Sequence, residues 1–550
     1  MARPRLTLAL APTTVALALF ACNDADTNPF DAQSGTSTTG AETTSGGSAP
    51  ATTAPADTST SVADTGEPPV LDVGNWDLPP GKHGCSTETP ADIDPDSVMP
   101  CSNQAPPDSF DAEVQWTWGS GESYHTPLVI NLTDDNGNGE IDVCDTPDVI
   151  VLVGTAAGTM VVLDGATGNE HFTINAALNP NVTPAVGDID DDGLPELVAA
   201  VGIFGGTLVA YEHDGTPKWT ASAPFAAQVG SAIGIANFDN EGSAEVYVAG
   251  QVVRGDTGEL ILGAPPQAGL LSGQLTAPVA ADLDGDDDLE FIRGQDAYHL
   301  DGTVYYANPD QAGGFPQIGN LDEDDDPEIL IISTNGISVF EHDGAVKYAD
   351  IRPSGDPAGF SWYRPATIHD LDGDGDAEYA VSSASHYAAY LADGTVMWIA
   401  NVQDPSGIAA GTAFDFLGDG TAEAIFADEY HLFAFDTAGA PLLQVDRSSG
   451  TLIEYPSVAD VDNDGAADIL VVSNRNFEGE QLTPTLQVIR DSQDRWIQAR
   501  RIWNQHTYHV TNVNEDGTIP DVEPKSWRLQ NTYRTNAQIE GGSVCVPPAG

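Results

Sequence analysis

The chain has 550 residues and carries 84 acidic against 18 basic side chains, a formal charge of −66. A surface of that sign repels phosphate backbones, so nucleic acid is excluded as a partner. Apolar residues make up 41% of the chain, enough for a packed core, while 56 glycines and 38 prolines call for many turns and leave little room for long helices.

Residues 1–21 read as a signal peptide. Arg3 and Arg5 supply the positive start, and the apolar stretch Leu6 to Ala21, broken by Pro12-Thr13-Thr14, is too short to span a membrane comfortably. It ends in Leu19-Phe20-Ala21-Cys22, which resembles a bacterial lipobox; Phe20 departs from the small residue usual there. The resemblance implies lipidation at Cys22, and Asn23 after it favours the outer membrane or cell surface of a Gram-negative bacterium. Residues 22–108, rich in Ser, Thr, Ala, Gly and Pro, cannot bury enough surface to offset their ordering entropy and are expected to form a flexible tether.

Apart from Cys22, four cysteines remain: Cys85, Cys101, Cys144 and Cys545. An even number in an exported protein permits two disulfides in three connectivities. The local option pairs Cys85 with Cys101, which leaves Cys144 to join Cys545. No C-x-x-C is present, so zinc and redox chemistry have no support.

One acidic pattern recurs eight times between residues 134 and 468, at starts 38 to 54 residues apart. Its fullest copy is Asp370-Leu371-Asp372-Gly373-Asp374-Gly375-Asp376-Ala377-Glu378. Oxygen ligands at positions one, three, five and nine of such a loop suit a calcium ion, which takes six to eight of them, and a glycine at position six allows the sharp turn. Magnesium, with its stricter octahedral demand, fits less well. The candidate ligand sets are Asp134, Asn136, Asn138 and Asp142; Asp188, Asp190, Asp192 and Glu196; Asn237, Asp239, Glu241 and Glu245; Asp282, Asp284, Asp286 and Glu290. They continue with Asn320, Asp322, Asp324 and Glu328; Asp370, Asp372, Asp374 and Glu378; and Asp460, Asp462, Asp464 and Asp468. The copy at Asp415 is degraded, because Leu417 replaces its second ligand.

The loops are flanked by strands, not by the helices of an EF-hand. Short β-rich runs such as Leu197-Val198-Ala199-Ala200-Val201 follow them. A third strand, an Asp-Gly turn such as Asp214-Gly215 or Asp393-Gly394, and a fourth strand near an aromatic (Trp219, Tyr305, Trp398) complete each unit. A period near 45 residues with four strands per unit predicts an all-β propeller over residues 109–490, of eight blades with seven the alternative. Val114-Gln115-Trp116-Thr117-Trp118 reads as a fourth strand that closes the ring against the last blade.

These units resemble the FG-GAP or VCBS-type repeats of integrin α-chain propellers and of many bacterial surface proteins. The resemblance covers about residues 113–490, and it implies calcium in the loop between the first two strands of each blade, in a structural role.

Residues 491–550 form a different segment, expected to pack on the propeller. From residue 484 onward the chain holds seven basic and seven acidic residues, and carries Trp496, Trp503, Tyr508, Trp527 and Tyr533. His506 and His509 are a weak pair of metal ligands, and Asn512 to Gly517 mimics the acidic loop but meets Pro520 at its ninth position. No G-x-S-x-G, H-E-x-x-H or phosphate-binding glycine loop is evident. The expectation is a non-enzymatic binding or adhesion module for a glycan or protein ligand. The alternative is a polysaccharide lyase-like enzyme, since some lyases use calcium-bearing eight-bladed propellers; only nine Lys and Arg between residues 82 and 475 argue against an anionic polymer.

Overall fold

Runs such as Val149-Ile150-Val151 and Ile329-Leu330-Ile331-Ile332 are β-branched and bounded by turn residues, so they settle as short strands with both faces covered. A computed structural model describes residues 100–547 apart from 203–205, 227–229, 266–276, 323, 353–363, 405–408, 453 and 542. The signal peptide 1–21, Cys22, Cys85 and the tether as far as residue 99 lie outside the described residues.

The strands assemble into four-stranded antiparallel blades. Blade 1 runs outward through Leu128–Ile130, Asp148–Val153, Gly158–Asp164 and Glu170–Leu178. Blade 2 follows as Ala185–Gly187, Glu196–Val201, Thr207–Tyr211 and Pro217–Thr220. Blades 3 to 7 repeat the order from the inner strands Ser231–Ala236, Val279–Ala281, Gly314–Gly319, Thr367–His369 and Gly411–Phe414. Blade 8 takes three strands from the C-terminal side, Ser457–Ala459, Asp468–Val472 and Leu486–Asp491. Its outer strand is Ala112–Trp118, paired antiparallel with Leu486–Asp491. The ring thus has eight blades, not seven, and closes through the strand read from Val114 to Trp118.

Neighbouring blades are held by buried aliphatic faces. Between blades 2 and 3, Val198, Ala200 and Leu208 meet Ile233, Ile235 and Val246, none more than 1% exposed. The outer-strand aromatics add a second lock. The Trp116 indole donates to the Gly165 carbonyl of blade 1 at 2.7 Å, and that of Trp219 to Gly255 of blade 3 at 2.5 Å. Trp398 lies on the turn of blade 7 so closely that a Cβ on Gly439 (φ 75°) would come within 2.7 Å of its ring.

Residues 503–536 occupy the axis of the ring. Trp503 bridges to Val129 of blade 1, and Val186 of blade 2 donates to the Asn504 carbonyl at 2.9 Å. The Ile235 amide of blade 3 donates to Gln505 Oε1 at 2.7 Å. Lys525 pairs with Asp282 of blade 4 at 2.9 Å, and Asn320 of blade 5 donates to Asn531 Oδ1 at 2.8 Å. Tyr533 bridges to Ile368 of blade 6, Thr412 of blade 7 donates to the Arg534 carbonyl at 2.6 Å, and Asn536 donates to the Val458 carbonyl of blade 8 at 2.7 Å. One segment can touch the inner strand or inner loop of all eight blades only from the centre. It holds the one helix among the described residues, Ser526–Leu529.

The plug is polar inside, and around Glu515 its charges are matched. Glu515 receives Arg500 Nε at 2.9 Å and Arg501 Nε at 3.0 Å, while the remaining Arg500 nitrogens reach the carbonyls of Val510 and Val513. Burial alone would raise the Glu515 carboxyl, but the two guanidinium groups hold it below its ordinary value. His509 is paired to Glu523 at 2.5 Å, which leaves it a structural group.

Two expectations are corrected here. Residues 100–108 are not tether: Pro100 bridges to Val546, the Ser102 amide donates to Glu540 Oε2 at 2.5 Å, and Ala105 donates to the Leu417 carbonyl at 2.8 Å. The local cysteine pair does not form either. Cys101 is bonded to Cys545, 444 positions away, and Cys144 is disulfide-bonded as well. Ring closure and the plug bring the two ends of the folded part together, which spacing along the chain cannot reveal.

Candidate metal centres

In an antiparallel four-stranded blade, the loop after the first strand and the turn after the third lie at the same end. The acidic loops therefore share one rim with the Asp-Gly turns. Each loop begins on the residue after the inner strand and ends on the first residue of the second strand.

Two hydrogen-bond rules shape the loops. The first-position side chain gathers amides from inside the loop: Asp370 Oδ1 accepts from Gly373 at 2.7 Å, and its Oδ2 from Gly375 at 2.9 Å. Asp415 does the same with Gly418 and Gly420, and Asp282 with Gly285 and Asp287. The ninth-position acid turns one oxygen back to the amide of position two. Ile189 donates to Glu196, Phe238 to Glu245, Leu283 to Glu290, Leu321 to Glu328, Leu371 to Glu378, Phe416 to Glu423 and Val461 to Asp468, at 2.6–3.1 Å. The second oxygen of each acid is left free by that amide, and in blades 2, 4 and 5 it faces Lys218, His299 and Lys347.

In most of the loops positions four and six take left-handed backbone. Position four is Asp191 (φ 62°), Asn240 (55°), Gly285 (81°), Gly373 (82°), Gly418 (65°) and Asn463 (58°). Asp and Asn tolerate this region better than other side chains, which explains their use where glycine is absent. Position six is glycine in blades 2, 3, 6, 7 and 8, Asp287 (φ 74°) in blade 4 and Asp325 in blade 5.

This curl gathers the sequence-predicted carboxylates. Ligand oxygens of Asp188, Asp190 and Glu196 lie within 4.8 Å of one another, as do those of Asp282, Asp284 and Asp286. Gathering them without a cation is unfavourable. Burial, then Asp462 and Asp460, pushes the Asp464 carboxyl up to about 8. Burial, then the other loop acids, pushes Glu378 up to about 8, and burial with Asp462 pushes Asp460 up to about 7. In blade 3 the Asn237 side chain is 3% exposed, and its Oδ1 has no hydrogen-bond partner. Buried oxygens without donors, on a curl of alternating acids, are what a hard oxygen-seeking cation requires.

The first loop differs from its sequence reading. There the inner strand ends at Ile130 and the second strand starts at Asp148. Leu132 donates to Asp148 Oδ2 at 2.8 Å, the same position-two to position-nine bond across sixteen residues instead of seven. The equivalents of Asp188 and Glu196 are thus Asn131 and Asp148. Asn131 is 5% exposed with an unpartnered Oδ1, and burial pushes Asp148 up to about 8. Asp134, Asn136, Asn138 and Asp142 fall in an insertion between them. In it, Asp134 gathers the amides of Gly137, Asn138 and Gly139, and Asp145, fully buried, accepts from Asp135, Asn136 and Asp142. An acid followed directly by an apolar strand, Asp148-Val149-Ile150-Val151, is the sequence signal that would have placed the ninth position.

In the degraded copy, Asp415 and Glu423 keep their hydrogen bonds while Leu417 passes under residues 103–105. Gln538 of the plug also donates to the Asp415 carbonyl at 2.9 Å, so this loop is covered by protein. Two lysines that sequence reading did not place, Lys218 and Lys347, enter the loops of blades 2 and 5.

No family model matches the chain, and no curated protein matches it in sequence. Among solved structures, the biofilm matrix protein Bap1 of V. cholerae aligns at 20% identity with a TM-score of 0.67, over 80% of this chain and 100% of that one. A rhamnogalacturonan lyase of Bacillus licheniformis aligns at 16% identity with a TM-score of 0.48, over 80% of this chain and 82% of the lyase. The likeness to Bap1 is one of fold. The chain is an eight-bladed β-propeller with a plugged axis and a ring of acidic loops on one rim.

Proposed function

We propose that the chain is a calcium-stabilised propeller of the FG-GAP or VCBS kind, carried by a lipid anchor at the cell surface or in the periplasm, that binds a glycan or protein ligand without catalysing a reaction. The observation that carries this reading is the filled axis. Trp503, Tyr508, Arg500 and Arg534, all fully buried, stand where an axial cleft would otherwise open. A ligand is then met by the outside of a rigid body, as suits a binding module. A matrix role of the kind named for Bap1 is one form of such binding.

Calcium would be held by positions one, three, five and nine of the loops, and there it would neutralise acids that burial and mutual repulsion now disfavour. Asp370, Asp372, Asp374 and Glu378 in blade 6 and Asp460, Asp462, Asp464 and Asp468 in blade 8 offer full acidic sets. The test is a glycan array read with and without EDTA, beside a lyase assay on pectic polymers. Binding without cleavage is expected; cleavage of any polymer would contradict the reading.

A further inference from the structure

The third and outer strands of every blade pair with an irregular register at the same place. The shift falls between Pro217 and Trp219 in blade 2, and opposite Val339 and Phe340 in blade 5. It falls opposite Ala389 and Tyr390 in blade 6, and between Val114 and Trp116 in blade 8. A bulge leaves one residue outside the ladder and re-aims its side chain. In blades 2, 5 and 8 the extra residue reaches the blade's own acidic loop.

In blade 2 that residue is Lys218. Its ammonium lies 2.5 Å from Asp190, 3.2 Å from Glu196 and 3.0 Å from Glu212, which are loop position three, loop position nine and the residue after the third strand. In blade 5 it is Lys347, which pairs with the equivalent acids: Asp322, Glu328 at 2.9 Å and Glu341 at 3.5 Å. Both lysines reach the oxygen of the ninth-position acid that the position-two amide leaves free. The bulge residue of blade 6 is Met397 and that of blade 7 is Leu442, neither of which brings a charge. In blade 8 it is Gln115, whose amide donates to Asp462 Oδ2 at 2.6 Å and neutralises nothing.

From this arrangement we infer that the bulge residue sets what each loop holds, and that Lys218 and Lys347 supply covalently, in blades 2 and 5, the positive charge that a divalent cation supplies in blades 6 and 8. An ammonium with three donors on three carboxylates takes up the ninth-position oxygen that a metal would need, and its charge repels an incoming cation. The loops of blades 2 and 5 are therefore closed by the chain, and those of blades 6 and 8 depend on calcium in the medium. The inference deepens the calcium reading and rests on it for blades 6 and 8.

The experiment counts calcium per chain by equilibrium dialysis against 1 mM calcium and elemental analysis, on the full exported chain. The double variant Lys218→Met with Lys347→Met is expected to hold two more ions than the unaltered protein. The converse variant Met397→Lys is expected to hold one fewer, and it reads the same rule without removing a lysine. Equal counts in all three proteins, with calcium present in the unaltered one, would overturn the lysine assignment and leave calcium standing. No calcium in the unaltered protein but two ions in the double variant would keep the assignment and overturn the calcium reading of the other blades. No calcium in any of them overturns both.

Discussion

The clasp between Cys101 and Cys545 closes nearly the whole folded chain into one covalent loop, the two cysteines standing 444 positions apart. Replacing both with serine removes that constraint from the unfolded chain. The chain-entropy relation gives about 6 kcal/mol for a loop of this length, and measured values for native disulfides more often fall at about 2–5 kcal/mol. Roughly 450 folded residues at about 2.1 cal/mol/K each have an unfolding entropy near 0.9 kcal/mol/K, so the midpoint should fall by about 2–6 °C. The clasp also pins residues 100–105 over the loop of blade 7, where Ala105 meets Leu417. Limited proteolysis of the double serine variant should therefore cut first near residues 100–108 and after residue 540, while the ring stays intact. The assay is a thermal melt of the oxidised protein and the variant in the same calcium buffer. An unchanged midpoint together with unchanged cleavage would refute the argument that the two ends of the fold are held by this bond.

Three further outcomes follow from the geometry. Glu515→Gln leaves Arg500 and Arg501 buried without a counter-charge and should cost about 3–5 kcal/mol in a denaturant titration, with the loss smaller in a variant that also replaces Arg500 by Met. In the metal-free protein, burial raises Glu378 and Asp464 to about 8, so the folded state binds protons more tightly than the unfolded one. Stability should then be greatest near pH 4 to 5 and fall as pH rises toward 8, the reverse of a salt-bridged carboxylate, and melts in EDTA across that range check the sign. Asp287→Gly removes a side chain from a left-handed position and should raise stability by about 1 kcal/mol, read by the same titration.

The repeat was legible because it is local. Strand, acid-rich loop, strand and Asp-Gly turn all fall within some 45 residues, and the acidic loops of blades 2 to 8 lie between the first two strands, where the pattern placed them. The ring closure by Val114 to Trp118 was also readable, since that segment carries the outer-strand pattern. What escaped the sequence depends on contacts between distant residues or on register. Asp134 to Asp142 imitates the loop pattern inside an insertion, and only the bond from Leu132 to Asp148 shows that Asn131 and Asp148 are the true counterparts. Lys218 and Lys347 are ordinary outer-strand residues until a bulge aims them at the carboxylates. The basic, aromatic tail could be recognised as different from the propeller, but its course through the centre is fixed by polar contacts to all eight blades. No periodicity encodes those contacts.

The most direct test of the account is a pair of thermal melts, one in 1 mM calcium and one in EDTA, with bound calcium counted in the first. If the loops bind at a Kd of about 10 µM, each occupied site adds about 2.7 kcal/mol at that concentration. A midpoint well above that of the EDTA sample, with several ions per chain, is the predicted result. Superimposable melts with no bound calcium would contradict the claim that the acidic loops are cation sites.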